Sequence, residues 1–327
     1  MRLPIVLLCL SLLLPAAPAC AVDTSLREGE RVAQALPGEQ LPLWPAGAVP
    51  GETGPARPTR VVERSADPAR PDRYADQIDA PSLQVYTPAR PNGRALLVIP
   101  GGGYQRVVID KEGSALVPFW VDGAGYTLFV LRYRLPQPGR DRQAALADAQ
   151  RALRVVRDQA RRRGLDANDV AVMGFSAGGH VAARLATGFD IAVHPARDDL
   201  DRLSARPSRA VLVYPVIDMG AHAHSGSRAR LLGEHPGTSL QADYSMQQRV
   251  RGDMPPTLLV HAADDAVVSV RNSELMAQAL AGAGVEHELH VFAHGGHGFG
   301  MDIPARSTLA LWPLLAQRWL GPAEDAR

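Results

Sequence analysis

The sequence is short of several things, and each shortage closes off a class of chemistry. Its 327 residues hold only two cysteines, Cys9 and Cys20, both at the extreme N-terminus. The body of the chain therefore carries no internal disulfide, no catalytic thiolate and no zinc site built on cysteine. Charge of one sign is missing too. Lys and Arg total 35 against 34 Asp and Glu, a formal net charge of +1, so the electrostatic footprint of a nucleic-acid binder is absent. Arginine far outnumbers lysine, which by itself implies no function. Aromatic residues make up 5%, so no row of stacked sugar subsites stands out. No apolar run reaches the roughly 20 residues that a membrane span needs.

The one short apolar run, Ile5 to Leu14, follows Arg2 and precedes the small residues Ala16, Ala17, Ala19 and Ala21. A short positive region, an apolar stretch and small residues at its end read as a signal peptide over 1–21, cleaved near Ala19 to Ala21. Export to the periplasm or the extracellular space is the expectation. A rival reading makes Cys20 a lipoprotein cysteine, against which stands the lack of a large aliphatic residue three positions upstream.

Residues 22–80 are rich in Pro, Gly, Ala and Arg, with Leu41-Pro42-Leu43-Trp44-Pro45 as their only apolar cluster. Between Pro50 and Arg73 the prolines exclude a regular helix and a central strand. This segment reads as a Pro-rich N-terminal arm that docks Trp44 on the rest of the chain, in preference to a free linker. From residue 81 to 321 the texture is that of one catalytic domain. Strand patterns at 83–86, 94–100, 126–133, 169–175, 210–216, 257–262 and 288–292 alternate with helical patterns at 111–122, 143–163, 177–187, 272–283 and 307–320. Several strands are continuous apolar runs such as Ala95-Leu96-Leu97-Val98-Ile99, as strands buried on both faces should be. The alternation predicts an α/β fold, a mostly parallel central sheet with helices on both faces. In the helix over 143–163 the row Arg151, Arg154, Arg157 and Asp158 reads as a solvated face, and Gly164 as its stop.

The sharpest signal is Gly174-Phe175-Ser176-Ala177-Gly178, set between the strand ending at Phe175 and the next helix. A nucleophile on a strand-to-helix elbow sits in a tight, strained turn, and side chains at the flanking positions would clash; Gly174 and Gly178 meet that structural need. Ser176 is thus the expected nucleophile of an α/β-hydrolase fold. The following helix aims its first amides at the site, which makes Ala177 N–H an oxyanion donor. Pro100-Gly101-Gly102-Gly103-Tyr104 directly follows the strand at 95–99, where this fold takes its second donor; Gly103 and Tyr104 are the expected amides.

The acid should follow a late strand, and Asp264 and Asp265 both do. Asp265, with Val268 after a short gap, is preferred, and Asp264 is the runner-up. The base should follow the last strand. His297, flanked by glycines and followed by Gly298-Phe299, is preferred to His294, which is assigned to supporting the loop. The order Ser176, Asp265, His297 is the order of this fold, with separations of 89 and 32 residues. His180 reads as a packing or hydrogen-bonding residue of the elbow helix. His222 and His224 lack a carboxylate cluster to complete a metal site, so neither metal nor cofactor is expected. The long stretch 218–252 between two core strands reads as a small cap over the pocket.

These motifs occur together in a known family. Pro-Gly-Gly-Gly-Tyr at 100–104, Val-Leu-Arg-Tyr-Arg-Leu-Pro at 130–136, Gly-Phe-Ser-Ala-Gly-Gly-His at 174–180, Pro-Pro-Thr-Leu-Leu-Val-His-Ala-Ala-Asp-Asp at 255–265 and Gly-Gly-His-Gly-Phe-Gly at 295–300 resemble bacterial acetylxylan esterases of the α/β-hydrolase superfamily. The resemblance spans roughly residues 40–320, and Leu41-Pro42-Leu43-Trp44-Pro45 is similar to the family's opening. Ser269 departs from the proline that many relatives carry after the acid loop. The resemblance implies removal of O-acetyl groups from plant polysaccharide or its oligomers, through an acetyl-enzyme on Ser176 that water activated by His297 then hydrolyses. The expected partner is an acetylated carbohydrate; the sugar, the acyl group and the oligomeric state stay open. Two readings compete. A serine peptidase of the same fold would be expected to carry a large extra domain, for which 22–80 is too short. A dead binding module would lack triad residue types that are present here.

Overall fold

The structure, a computed structural model, describes residues 26–27, 29–33, 38–52 and 55–321. The signal-peptide reading of 1–21 and the Cys20 alternative lie outside the described residues. In chain order the strands are β1 (Arg31–Val32), β2 (Gln40–Pro42), β3 (Arg60–Glu63), β4 (Arg73–Asp76), β5 (Ser82–Tyr86), β6 (Ala95–Ile99), β7 (Val107–Val108), β8 (Thr127–Arg132), β9 (Val170–Phe175), β10 (Ala210–Val213), β11 (Thr257–Ala262) and β12 (His287–Phe292). The α-helices are α1 (Ala144–Arg163), α2 (Ser176–Thr187), α3 (Ser225–Leu232), α4 (Thr238–Asp243), α5 (Arg271–Gly282) and α6 (Trp312–Trp319).

Eight strands form the main sheet in the order β12-β11-β10-β9-β6-β8-β5-β2. β12 through β8 run parallel, while β5 is antiparallel to β8 and to β2. This is the α/β-hydrolase arrangement expected from the alternating pattern. Period-two alternation feeds two cores from the same strands. Leu97, Ile99, Val172, Leu212 and Leu259 pack on one face with Ala149, Val181 and Leu280. Leu96, Val98, Met173, Phe175, Val211 and Val260 pack on the other with Trp120 and Trp312. Both faces are apolar because both are covered, which is why these strands read as unbroken apolar runs. α1 stops at Gly164, whose φ of 70° puts it in the left-handed region that a glycine cap favours.

Five expectations need correction. The segment 111–122 is not an α-helix. It forms a 3-10 turn at Ser114–Leu116 and a π-helical turn at Pro118–Gly123, because Pro118 brings no N–H and its ring obstructs the preceding turn. The stretch Pro50 to Arg73 does contain an inner strand. β3 lies between β1 and β4 in a four-stranded sheet ordered β1-β3-β4-β7. The prolines at 50, 55, 58, 68 and 71 leave Arg60-Val61-Val62-Glu63 free of them, and that run carries two β-branched residues. The arginine row of α1 is not a solvated face: Arg151 is 2% exposed and Arg157 9%. Residues 189–208 lie over it. Arg151 binds Asp198, Asp201 and the Leu43 carbonyl. Arg154 and Arg157 donate to the carbonyls of Leu203, Ser204 and Arg206. Irregular chain must place its carbonyls somewhere, and guanidinium groups satisfy several at once. Last, the final helix begins as a 3-10 turn at Thr308–Leu311, and β10 ends at Val213 instead of Val216, just before Tyr214 turns to a φ of 38°.

Trp44 of the N-terminal segment is 4% exposed. Its Nε1–H donates to the Asp148 carboxylate at 2.9 Å, its ring edge meets His194, and the Arg151 guanidinium stacks on it at 5.1 Å. Trp44→Ala is expected to destabilise the protein by about 3–5 kcal/mol, the range for truncating a buried Trp. Urea unfolding measures this; a loss below about 1 kcal/mol would show the contact to be idle.

Candidate active site

β9 ends at Phe175 and α2 begins at once with Ser176, so the chain reverses over a single residue. Ser176 takes a φ of 51°, in the region that non-glycine residues avoid. The elbow is possible because its neighbours have no side chains. A Cβ on Gly174 would lie 2.5 Å from the Ala182 Cβ, and one on Gly178 would lie 2.2 Å from the Ile99 carbonyl oxygen. Strain of this kind persists only where surrounding structure holds it.

The three residues expected at the site come together. Ser176 Oγ–H donates to His297 Nε2 at 2.8 Å, and His297 Nδ1–H donates to Asp265 Oδ2 at 2.7 Å. Asp265 Oδ1 accepts the amides of Val267 and Val268, both at 2.9 Å, which fixes the carboxylate plane. Buried His261 adds a longer contact from Nε2 to Asp265 Oδ2, 3.3 Å. Burial alone would raise the Asp265 pKa; the hydrogen bonds from His261 and His297 outweigh it and hold the carboxyl well below the usual carboxylate range.

The runner-up acid has a different place. Asp264 Oδ1 accepts the amides of Gly295 at 2.9 Å and Gly296 at 2.8 Å, and its Oδ2 lies 3.3 Å from His294 Nδ1. His294 itself is exposed. The loop carrying His297 is thus pinned chiefly through its backbone, by an acid one residue from the one that orients the imidazole.

The loop after β6 packs against the elbow, with a Cβ on Gly101 falling 2.8 Å from Ser176 Cβ, and its Gly103 lines the same cleft as Ser176; Tyr104 follows in that loop and Ala177 follows Ser176. None of the amides of Gly103, Tyr104 and Ala177 has an acceptor among the described residues. Tyr104 has a φ of 60° and a buried ring, and its hydroxyl donates to His180 Nδ1 at 2.6 Å. His180 Nε2–H in turn donates to the Tyr244 carbonyl at 2.8 Å. Burial pushes the His180 pKa down to about 3, so this link stays neutral.

Sequence reasoning passed over the residues that tie the two halves together. Glu112 is buried behind the glycine loop. Its Oε2 accepts Gly101 N–H at 2.6 Å and its Oε1 accepts the Tyr214 hydroxyl at 2.9 Å. Tyr214 OH accepts Gly300 N–H at 3.1 Å, and its ring meets that of His297 edge-on at 5.0 Å. Burial raises the Glu112 pKa, against the pull of these donors. No local motif marks Glu112, since its partners lie 11 and 102 residues away.

Ser176 and His297 open on a cleft of about 460 Å³. From the 218–252 stretch come His224, Gly226 and Arg230, so that stretch borders the site. His224 caps α3 through Ser227. No set of three His, Cys, Asp or Glu among the described residues is placed to hold a metal, and no helix among them is long and apolar enough to cross a membrane.

Residues 83–280 match the BD-FAE family model. The chain is similar to an acetylxylan esterase from Xylanibacter ruminicola, 34% identical over 220 residues, 66% of this chain and 43% of that protein. It is also similar to endo-1,4-beta-xylanase B from Butyrivibrio fibrisolvens, 34% identical over 205 residues, 62% of this chain and 32% of that protein. The matches thus span less than half the length of these two relatives. Among solved structures, an acetyl ester-xyloside bifunctional hydrolase from Caldicellulosiruptor lactoaceticus superposes with a TM-score of 0.71 at 35% identity, over 86% of this chain and 95% of that one. With the family model matched over more than half its length, the chain belongs to the BD-FAE family, esterases of the α/β-hydrolase type.

Proposed function

We propose that this protein is an exported serine esterase that removes O-acetyl or other small acyl groups from plant polysaccharide such as xylan, or from its oligosaccharides. The observation that carries the reading is the unbroken hydrogen-bonded line Asp265–His297–Ser176 ending in a cleft. His297 Nε2 takes the Ser176 proton as Oγ attacks the ester carbonyl, then gives it to the sugar oxygen as the ester C–O bond breaks, releasing the free sugar hydroxyl. The acyl-enzyme on Ser176 is hydrolysed by a water that His297 deprotonates. Asp265 keeps the proton on Nδ1 and stabilises the imidazolium. The amides of Ala177 with Gly103 or Tyr104 receive the oxyanion, at no cost in reorganisation because they are already fixed. The acyl class is supported by relatives named for acetyl-ester hydrolysis. Export is supported by the signal-like residues 1–21, since polysaccharide stays outside the cell.

The test measures acetate released from acetylated xylo-oligosaccharides, with p-nitrophenyl acetate alongside and a fluorophosphonate as active-site label. Release of acetate, with the label on Ser176, is the expected result. Cleavage of p-nitrophenyl acetate alone would remove the polysaccharide and keep the esterase. Failure on both esters with Ser176 unlabelled would remove the whole reading.

A further inference from the structure

The cleft in front of Ser176 is lined by cations of one sign. Arg64, Arg106, Lys111 and Arg230 border it. The one carboxylate lining it besides, Glu112, is turned to Gly101 and Tyr214 behind the glycine loop. Lys111 is the only lysine in the whole chain. Among the described residues Lys111, Arg106 and Arg230 form no ion pair, whereas Arg64 is paired with Asp72 at 2.6 Å.

Arg106 is the costly member. It is half-buried, with its guanidinium 4.9 Å from the Tyr74 ring centre, and Arg64 stacks on the same ring at 5.5 Å. Burial, and then the neighbouring Arg64 charge, lower the Arg106 pKa; Glu30, which accepts from the Tyr74 hydroxyl, attracts it without an ion pair. A cation kept desolvated beside a like charge gains when an anion arrives. A cleft that holds such groups beside a reactive centre is shaped for a ligand of the opposite charge. Arg64 and Tyr74 come from the N-terminal segment, outside the residues that match the family model. Arg106, Lys111 and Arg230 lie within the matched residues, so the N-terminal segment adds Arg64 to a charge the family region already carries.

We infer that the cleft recognises a carboxylate on the saccharide: the substrates are O-acyl esters of uronic-acid-bearing sugars, with Lys111 and Arg106 holding the carboxylate while the ester carbonyl lies at Ser176. This rests on the esterase reading above. The carboxylate can come from a uronic branch on a neutral chain or from a polyuronate backbone.

Two measurements test it. The first compares kcat/KM for acetylated xylo-oligosaccharides bearing a glucuronic acid branch, for acetylated oligogalacturonides, and for neutral acetylated xylo-oligosaccharides and the carboxyl-reduced forms of both acids. At least one acid is expected to exceed its reduced form by about 10–100-fold, the scale of one or two charge-assisted hydrogen bonds. Which acid does so identifies the source. The ratio is expected to shrink with added salt and to fall toward one in Lys111→Met and Arg106→Gln. The second needs no turnover. Reductive methylation with ¹³C-formaldehyde keeps the charge and places a single side-chain label on Lys111, apart from the chain's own amino terminus. Its NMR signal is expected to shift with unesterified glucuronoxylo- or galacturono-oligosaccharide and to stay still with xylotriose. Equal kcat/KM for acidic and reduced esters, with Ser176 chemistry intact and an unmoved Lys111 signal, overturns the carboxylate and leaves the esterase standing. Loss of all ester cleavage removes both.

Discussion

Ser176→Ala is expected to lower the rate of ester hydrolysis by about four to six orders of magnitude while leaving the protein folded. Both halves follow from the elbow. Alanine keeps the Cβ, so the strained φ of 51° costs the same before and after the change. The glycines that make room for the turn are untouched. What leaves is Oγ, and with it the hydrogen bond to His297 and the only atom that could carry the acyl group. On the proposed oxyanion role of the Ala177 amide with that of Gly103 or Tyr104, which the change leaves in place, a residual acceleration over water of about 10³–10⁴ is expected. Stability should change by less than about 1 kcal/mol, since one partly buried hydroxyl bond is lost. Acetate release and urea unfolding of the same preparation check the two halves. A variant that keeps more than a hundredth of the rate would show that another group attacks.

The elbow was readable because its requirement is local and steric. A strand, a turn too tight for side chains and a helix must follow one another, so glycines flank the serine within five residues of sequence. The parallel sheet was readable for a related reason: strands such as β6 and β9, covered on both faces, can only be written as apolar runs. His297 was found through the glycines of its loop. What stayed hidden depends on distant chain. Arg151 looked like a surface residue because α1 alone does not reveal that residues 189–208 will cover it and need donors. Glu112 sat in a segment read as an ordinary helix, and its role appears only once Gly101 and Tyr214 arrive from elsewhere. Arg64 and Arg106 became a pair through the Tyr74 ring, 10 and 32 residues away in sequence. β3 was missed because the prolines around it were read as a property of the whole segment and not of its flanks. The spacing to Val268 favoured Asp265 over its neighbour Asp264, and the structure puts the Asp265 carboxylate on His297 and that of Asp264 on the loop backbone.

Asp265→Asn and Asp264→Asn should therefore part company widely. In the structure the Asp265 carboxylate takes two backbone amides on one oxygen and His297 Nδ1–H on the other. An asparagine in its place keeps its carbonyl on the amides of Val267 and Val268, which leaves the NH2 facing His297. The imidazole must then accept at Nδ1, its proton moves to Nε2, and the atom facing Ser176 can no longer take a proton. A loss of about 10⁴ in kcat is expected, as for a triad locked in the wrong tautomer. The fold should survive, because shape and backbone bonds are conserved. Asp264 makes its bonds from a partly exposed position to the amides of Gly295 and Gly296. An asparagine carbonyl accepts those equally well, so Asp264→Asn should stay within about threefold of wild type, below the 1 kcal/mol scale of one exposed hydrogen bond. Asp264→Ala frees the loop and should cost about tenfold, since a misplaced base loses alignment with Ser176 without losing its proton chemistry. Initial rates on one acetyl ester for the three variants decide the matter. Were Asp264→Asn to lose as much activity as Asp265→Asn, the loop would have to rearrange in solution so that Asp264 orients the imidazole.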